Sequence, residues 1–227
     1  MQIIKYPATG PWKVHFPTDG SQIGGVDPET YGYSIVPGSK PSLLMSMEGN
    51  TAPPGFPAWM AYPASPIQLP TAEPTMNIEL SFSLWVDSNT KTAANVIETD
   101  TVFVIKGADG KTYSYNGSAQ VIIASGLLEV GSDGAGWQST GIRIPAFTPN
   151  VKHKIRISYQ INTVTHLISV VSYAVDDVVY AVPVANQNVV ATVSTWTLGA
   201  YLQLQQGSLP AGNPWTLRFT HFKYRVC

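Results

Sequence analysis

The chain has 227 residues, of which 12% are charged, 44% hydrophobic and 11% aromatic, with a formal net charge of −1. Charge this sparse and balanced excludes a protein that holds nucleic acid through a clustered surplus of Lys and Arg, and apolar content this high excludes disorder. No window approaches the roughly 18 uncharged apolar residues of a spanning helix, so no membrane insertion is expected.

In chain order, Met1 to Pro11 shows no apolar stretch behind a basic start. No secretory signal is therefore visible, and a cytoplasmic or non-classically released protein is expected, secreted if a signal was removed. From Gly49 to Pro74 the chain carries seven prolines and little alternation. This segment reads as a long ordered loop covering the sheet, because Phe56, Trp59, Met60 and Tyr62 are too apolar for a free linker.

Strict period-two alternation then begins, the mark of half-buried strands. In Asn77–Asp87 it puts Ile78, Leu80, Phe82, Leu84 and Val86 on one face, with Asn77, Glu79, Ser81, Ser83 and Trp85 on the other. Strands are predicted at Val96–Lys106, Thr112–Ala124 and Lys154–Ile161, the last with Ile155, Ile157, Tyr159 and Ile161 turned inward. Further strands follow at His166–Ala174, Val178–Val184, Trp196–Gln205 and Thr216–Val226, with turns at 108–110, 132–134 and 176–177. No long helical stripe, repeat or domain boundary interrupts them. The expectation is one all-β domain over residues 1–227, a β-sandwich jelly roll of two curved antiparallel sheets. The single cysteine, Cys227, permits no internal disulfide and is expected to be a free terminal thiol.

Such a sandwich leaves polar strand faces to solvent. Here those faces are rich in amide, hydroxyl and aromatic groups, a chemistry that suits sugars: hydroxyls exchange hydrogen bonds with Gln, Asn and Ser, and C–H faces stack on Trp and Tyr.

Short motifs in order along the chain resemble the family-seven polysaccharide lyases, the alginate lyase family. Trp12-Lys13-Val14-His15-Phe16-Pro17 is similar to their Trp-x-Leu-x-Leu-Pro opening strand. Asn77-Ile78-Glu79-Leu80-Ser81 aligns with Arg-Ser-Glu-Leu-Arg, and Gln120-Val121-Ile122 with Gln-Ile-His. Gly199-Ala200-Tyr201-Leu202-Gln203 resembles the end of the Lys-Ala-Gly-x-Tyr-x-Gln strand, and Leu217–Tyr224 the closing strand. The resemblance implies a jelly roll. It also implies a site in which Arg and Gln neutralise a uronate carboxylate, His takes the C5 proton, and Tyr serves as acid or base. Residue by residue, Gln120 and Tyr201 carry over. The Arg positions hold Asn77 and Ser81, the His position Ile122, and the Lys position Thr197. Isoleucine can neither accept a proton nor neutralise a charge, and β-elimination requires the carboxylate to be quenched. The departures weigh against lyase chemistry.

Other constellations are thinner. Glu98-Thr99-Asp100 puts two carboxylates about 6–7 Å apart on one strand face, but the second Glu of a glycosidase Glu-x-Asp-x-x-Glu pattern is Phe103. His15, His153, His166 and His221 show no metal-ligand spacing and read as surface or satisfied strand histidines. Asp87, Asp109, Asp133, Asp176 and Asp177 read as turn residues. Neither a metal nor a cofactor is expected.

The sequence therefore points to a lectin-like, non-catalytic carbohydrate-binding protein for a neutral or amino sugar. Glu79, Ser81, Ser83, Gln120, Tyr201, Gln203 and Gln205 would supply hydrogen bonds, and Trp85 or Tyr201 a stacking platform. The expected partner is a glycan, with a homodimer to multiply weak single sites. The rival reading is a polyuronate lyase using Tyr201 as acid and base and Gln120 as carboxylate neutraliser.

Overall fold

The computed structural model describes residues 2–6, 13–15, 31–36, 42–47, 57–62, 67–69, 73–88, 94–106, 109–132, 136–183, 188–189, 200–206 and 215–226, with backbone alone for some strands. Among the described residues every regular element is a strand. In chain order they are β1 (Gln2–Tyr6), β2 (Lys13–His15), β3 (Tyr31–Val36), β4 (Ser42–Met47), β5 (Pro57–Tyr62) and β6 (Ile67–Leu69). The long alternating strands follow as β7 (Thr75–Val86), β8 (Ala94–Lys106), β9 (Thr112–Ile122), β10 (Leu127–Ser132), β11 (Gly136–Arg143) and β12 (His153–Asn162). The chain closes with β13 (Leu167–Val175), β14 (Val178–Ala181), β15 (Asn188–Val189), β16 (Ala200–Gln206) and β17 (Trp215–Val226).

They form two sheets. The nine-stranded sheet runs β14-β13-β12-β7-β17-β4-β3, with β1 also on β17 and β15 on β13. The eight-stranded sheet runs β11-β10-β9-β8-β16-β5-β2, with β6 on β8 as a parallel pair. Every other pairing is antiparallel, which gives the predicted two-sheet β-sandwich of jelly-roll type.

Alternation decides which face of each strand meets the other sheet. Ile78, Leu80, Phe82, Leu84 and Val86 of β7 are buried, as are Ile155, Ile157, Tyr159 and Ile161 of β12. From the opposite sheet Ile97, Phe103, Ile105, Tyr115, Ala119, Val121, Leu128 and Val130 pack against them. Each large aliphatic or aromatic side chain removed from water here contributes about 1.5–3 kcal/mol. Thr101 is fully buried among them, its hydroxyl 3.5 Å from Tyr159 Oη and 3.4 Å from Tyr224 Oη. Phe103 meets the same two rings edge-on, both at 5.6 Å. A polar group at the centre of the core is thus tied to tyrosines on two strands of the facing sheet.

The Pro-rich segment is not simply a covering loop. It contains β5, which pairs with β16 on one side and β2 on the other, and β6. Pro57 stands at the first residue of its strand, where proline is tolerated. Trp137, with no strand predicted around it, lies on β11 opposite Gly131.

Candidate functional site

The polar candidates divide between the two sheets. Glu79, Ser81, Ser83 and Trp85 lie on β7, in the nine-stranded sheet. Gln120 lies on β9, and Tyr201, Gln203 and Gln205 on β16, in the eight-stranded sheet. In both sheets the inward face makes the core, so the described polar side chains of β7 and of β9 point to opposite sides of the sandwich. Asn77 and Ser81 therefore cannot line one cleft with Gln120. The alignment placed them together because β7 and β8 are both long alternating strands; pairing, not pattern, decides that β8 is the one between β9 and β16.

On the eight-stranded sheet the register draws one row across the strands. Gln203 stands opposite Glu98, Glu98 opposite Gln120, Gln120 opposite Glu129, and Glu129 opposite Ser139. Trp59 of β5 continues the row from Gln203, and His15 of β2 from Trp59. One step along, Tyr201 stands opposite Asp100, which stands opposite Ser118; Gln205 stands opposite Val96. The side chains of His15, Trp59, Asp100, Tyr201, Gln203 and Gln205 lie outside the described residues.

Within the described part, Gln120 Nε2 donates to Glu129 Oε2 at 2.7 Å, a short charge-assisted hydrogen bond. Glu98 and Gln120 are each 6% exposed, deep for polar groups on an outer face. Half-buried Ile122, between Val96 and Leu127, closes the row on its other side. Arg143 comes from the neighbouring edge, but its guanidinium donates to the Ser125 carbonyl at 2.8 Å, in the β9–β10 turn. This outer face thus combines carboxylates with amides.

The nine-stranded sheet presents the opposite charge. Arg156 of β12 and Lys223 of β17 both stand opposite Ser81. Ser158 and Arg225 both stand opposite Glu79, while Lys154 and Thr220 stand opposite Ser83. Lys152 places its ammonium 5.7 Å from the centre of the Trp85 ring, so that aromatic is half-buried under a cation. Lys and Arg, dispersed in sequence, are brought side by side by the pairing of β7 with both β12 and β17.

Several other described titratable groups have structural partners. His153 is buried, with Nδ1 3.0 Å from Asp176 Oδ2, and its Nε2 accepts the Thr148 N–H at 3.0 Å. His166 stacks on Tyr113 at 3.9 Å, with its Nδ1 3.3 Å from Tyr115 Oη. Tyr113 donates to Asp109 Oδ2 at 2.7 Å, which holds the Asp109 carboxyl below its ordinary value and raises the phenol. Among the described residues no group of His, Cys, Asp or Glu is placed to hold a metal ion. His15 and His221 have side chains outside the described residues.

The sequence reading missed Glu129 and the basic neighbours of Ser81. For Glu129 the available signal was the brief alternation Leu128-Glu129-Val130, with both flanking residues buried. For the basic residues it was Lys154 and Arg156 alternating with Ile155 and Ile157, and Lys223 and Arg225 with Tyr224 and Val226.

No protein-family model matches this chain, and no curated protein matches it. Solved structures resemble it at low identity. A family 7 alginate lyase, A1-II', is 9% identical with a TM-score of 0.43, over 95% of this chain and 91% of that one. Peanut lectin is 9% identical with a TM-score of 0.46, over 100% and 99%. An endo-1,3-β-glucanase from Streptomyces sioyaensis is 12% identical with a TM-score of 0.46, over 99% and 95%.

Proposed function

We propose that the chain binds a neutral or amino-sugar glycan on the outer face of the eight-stranded sheet and does not cleave it. The observation that supports this most directly is the bond from Gln120 Nε2 to Glu129 Oε2 at 2.7 Å. In β-elimination from a uronate, an amide at this position has to donate to the substrate carboxylate, because the developing carbanion adds negative charge beside it. Here the amide already serves a carboxylate of the protein, and Glu98 stands on its other side in register. A uronate would meet two carboxylates. Sugar hydroxyls, by contrast, donate to carboxylates and accept from amides, and a protonated amine gains a charge-assisted bond. Gln203 extends the row of register positions toward β5, with Tyr201 and Gln205 in the rows on either side of it. In this reading two copies of the chain associate to raise avidity, which sedimentation of the purified protein tests.

A glycan array paired with ultraviolet absorbance on a panel of polyuronates tests the reading. Saturable binding to a neutral or amino glycan with flat absorbance is expected. Growth of the unsaturated-product band on any uronate overturns it. Tyr201→Phe should weaken a binder by only a few-fold, about 1 kcal/mol for one hydrogen bond, whereas it would abolish a lyase that uses Tyr201 as acid and base.

A second reading, glycoside hydrolysis, is favoured by one observation. Glu98 and Glu129 flank Gln120 from strands two spacings apart, about 10 Å between backbones, and carboxyls of inverting glycosidases stand about 6.5–9.5 Å apart. Release of reducing ends from a β-glucan, abolished by Glu98→Gln, would establish it; no release from a broad glycan panel retires it.

A further inference from the structure

We infer that the outer face of the nine-stranded sheet holds an anion site, centred on Arg156, Ser81 and Lys223, for the sulfate or carboxylate groups of an acidic glycan. The site is independent of the neutral-glycan face, which lies on the other sheet.

Three residues in one register row carry the argument. Ser81 of β7 lies between Arg156 of β12 and Lys223 of β17, with an extra residue in β17 between Thr220 and Lys223 setting that register. The two backbones flanking Ser81 are about 10 Å apart, so long cationic side chains can converge over a short hydroxyl. Ser81 is 4% exposed, and its Oγ is buried with no hydrogen-bond partner. Arg156 Nε is also buried and also has none. Folded proteins leave few buried polar atoms unpaired, because each costs about 1–3 kcal/mol. These two atoms stand side by side in one row and both can donate, so one acceptor would satisfy both. An oxyanion supplies several lone pairs at once, and guanidinium recognises it with a planar fork while ammonium adds a point charge.

Three of the cations, Lys154, Arg156 and Lys223, are also available. Among the described residues no ion pair engages Lys154, Arg156 or Lys223. Lys154 lies opposite Ser83, one row from the centre, and Arg225 lies opposite Glu79 on the other side.

The pattern favours a glycan over a nucleic acid. The charges are separated by Ser83, Ser158 and the Gln160–Asn77 amide pair, whose Nε2 and Oδ1 are 3.4 Å apart. Duplex DNA needs contiguous neutralisation of phosphates, and Glu79 interrupts it one row from the centre. Single strands need open aromatic platforms, and the Trp85 ring lies under Lys152. Spaced charges among hydroxyls and amides match a polymer that carries one anionic group per sugar among many hydroxyls.

The test is equilibrium binding of the full chain to dextran sulfate, polygalacturonate, a short DNA duplex and phosphatidylserine vesicles, at low and at physiological salt. The wild type is expected to bind at least one of the two polysaccharides, more weakly as salt rises. Preference for dextran sulfate identifies a sulfate ester, and preference for polygalacturonate a carboxylate. Arg156→Gln with Lys223→Gln should lower that affinity roughly tenfold or more. Ser81→Ala should lower it by a few-fold while leaving stability unchanged or raised, since it removes an unpartnered buried donor; a purely structural Ser81 would give the reverse. Glu98→Gln, on the other sheet, should leave polyanion binding unchanged. If the double variant fails to fold, Lys223→Gln at its exposed position decides alone. Equal polysaccharide binding by wild type and the folded variant, binding of duplex DNA or vesicles as tight as that of the polysaccharides, or no polyanion binding at all overturns the inference.

Discussion

Gly117 on β9 lies against the ring of Tyr159 on β12 so closely that a Cβ added to it would stand 2.6 Å from Cε1 and 2.7 Å from Cδ1. The two sheets approach each other through this pair, and the Tyr159 hydroxyl reaches on to Thr101. The ring cannot move away without disturbing Thr101 and, through it, Tyr224. Gly117→Ala is therefore expected to destabilise the fold by about 1–3 kcal/mol through overpacking, read as a lower urea midpoint with an unchanged slope. An unchanged midpoint would mean that the sheets can part locally at no cost.

Thr101 itself offers a different test. Its hydroxyl lies within 3.5 Å of two tyrosine hydroxyls at the centre of an otherwise apolar core. Thr101→Val keeps the shape but takes a hydrogen-bonding group away from both partners. The expected loss is about 1–2 kcal/mol, because removing one partner of a buried hydrogen bond costs more than the bond contributes net. Equilibrium unfolding measures it, and a stabilised variant would show that the hydroxyl is not engaged by either ring.

Glu129 is the residue on which the neutral and amino sugars part company. Glu129→Gln preserves a partner for Gln120 Nε2 but removes a negative charge from the row Glu98–Gln120–Glu129. Affinity for an amino glycan should fall roughly tenfold, since bonds to charged groups are about twice as strong as neutral ones, while affinity for its neutral counterpart should change little. Titration of both ligands against both proteins gives the answer. Equal losses for the two ligands would show that Glu129 acts through its oxygen geometry and not its charge.

The core faces of β7 and β12 were legible because alternation alone fixes which residues turn inward: Ile78 to Val86 and Ile155 to Ile161 behave as their spacing requires. The two-sheet class was legible for the same reason. Pairing was not. Ser81 and Gln120 both sit on polar faces of alternating strands, and nothing local says that those faces look in opposite directions. The identity of a strand's neighbours depends on contacts distant in sequence, so Arg156 and Lys223 cannot be seen to flank Ser81 until β7 is placed between β12 and β17. Glu129 was missed because β10 is short and Gly131 interrupts its pattern. β5 was missed because prolines mask a strand when one of them occupies its first position.

The last prediction concerns pH. Asp176, at φ 56°, closes the β13–β14 turn: Oδ2 is 3.0 Å from His153 Nδ1 and Oδ1 accepts the Lys154 N–H at 2.9 Å. A carboxylate can only accept, so Asp176 Oδ2 takes its hydrogen bond from His153 Nδ1–H, while Nε2 faces Thr148, 3.0 Å from its backbone nitrogen and 3.3 Å from its carbonyl oxygen. Partial burial works against ionisation of Asp176, but the bonds from Lys154 and His153 outweigh it and hold the carboxyl below its ordinary value of 3.8. A carboxyl with a depressed folded-state pKa stabilises above its unfolded-state pKa, and that stability is lost as pH falls through the folded-state value. Asn tolerates the left-handed backbone and keeps an acceptor for Lys154, so Asp176→Asn removes the charge without straining the turn. Wild type should be the more stable near neutral pH, and the two unfolding midpoints should converge as pH falls below about 4. A constant gap from pH 7 down to about 3 would mean that the interaction depends on the shape of the side chain and not on its ionisation.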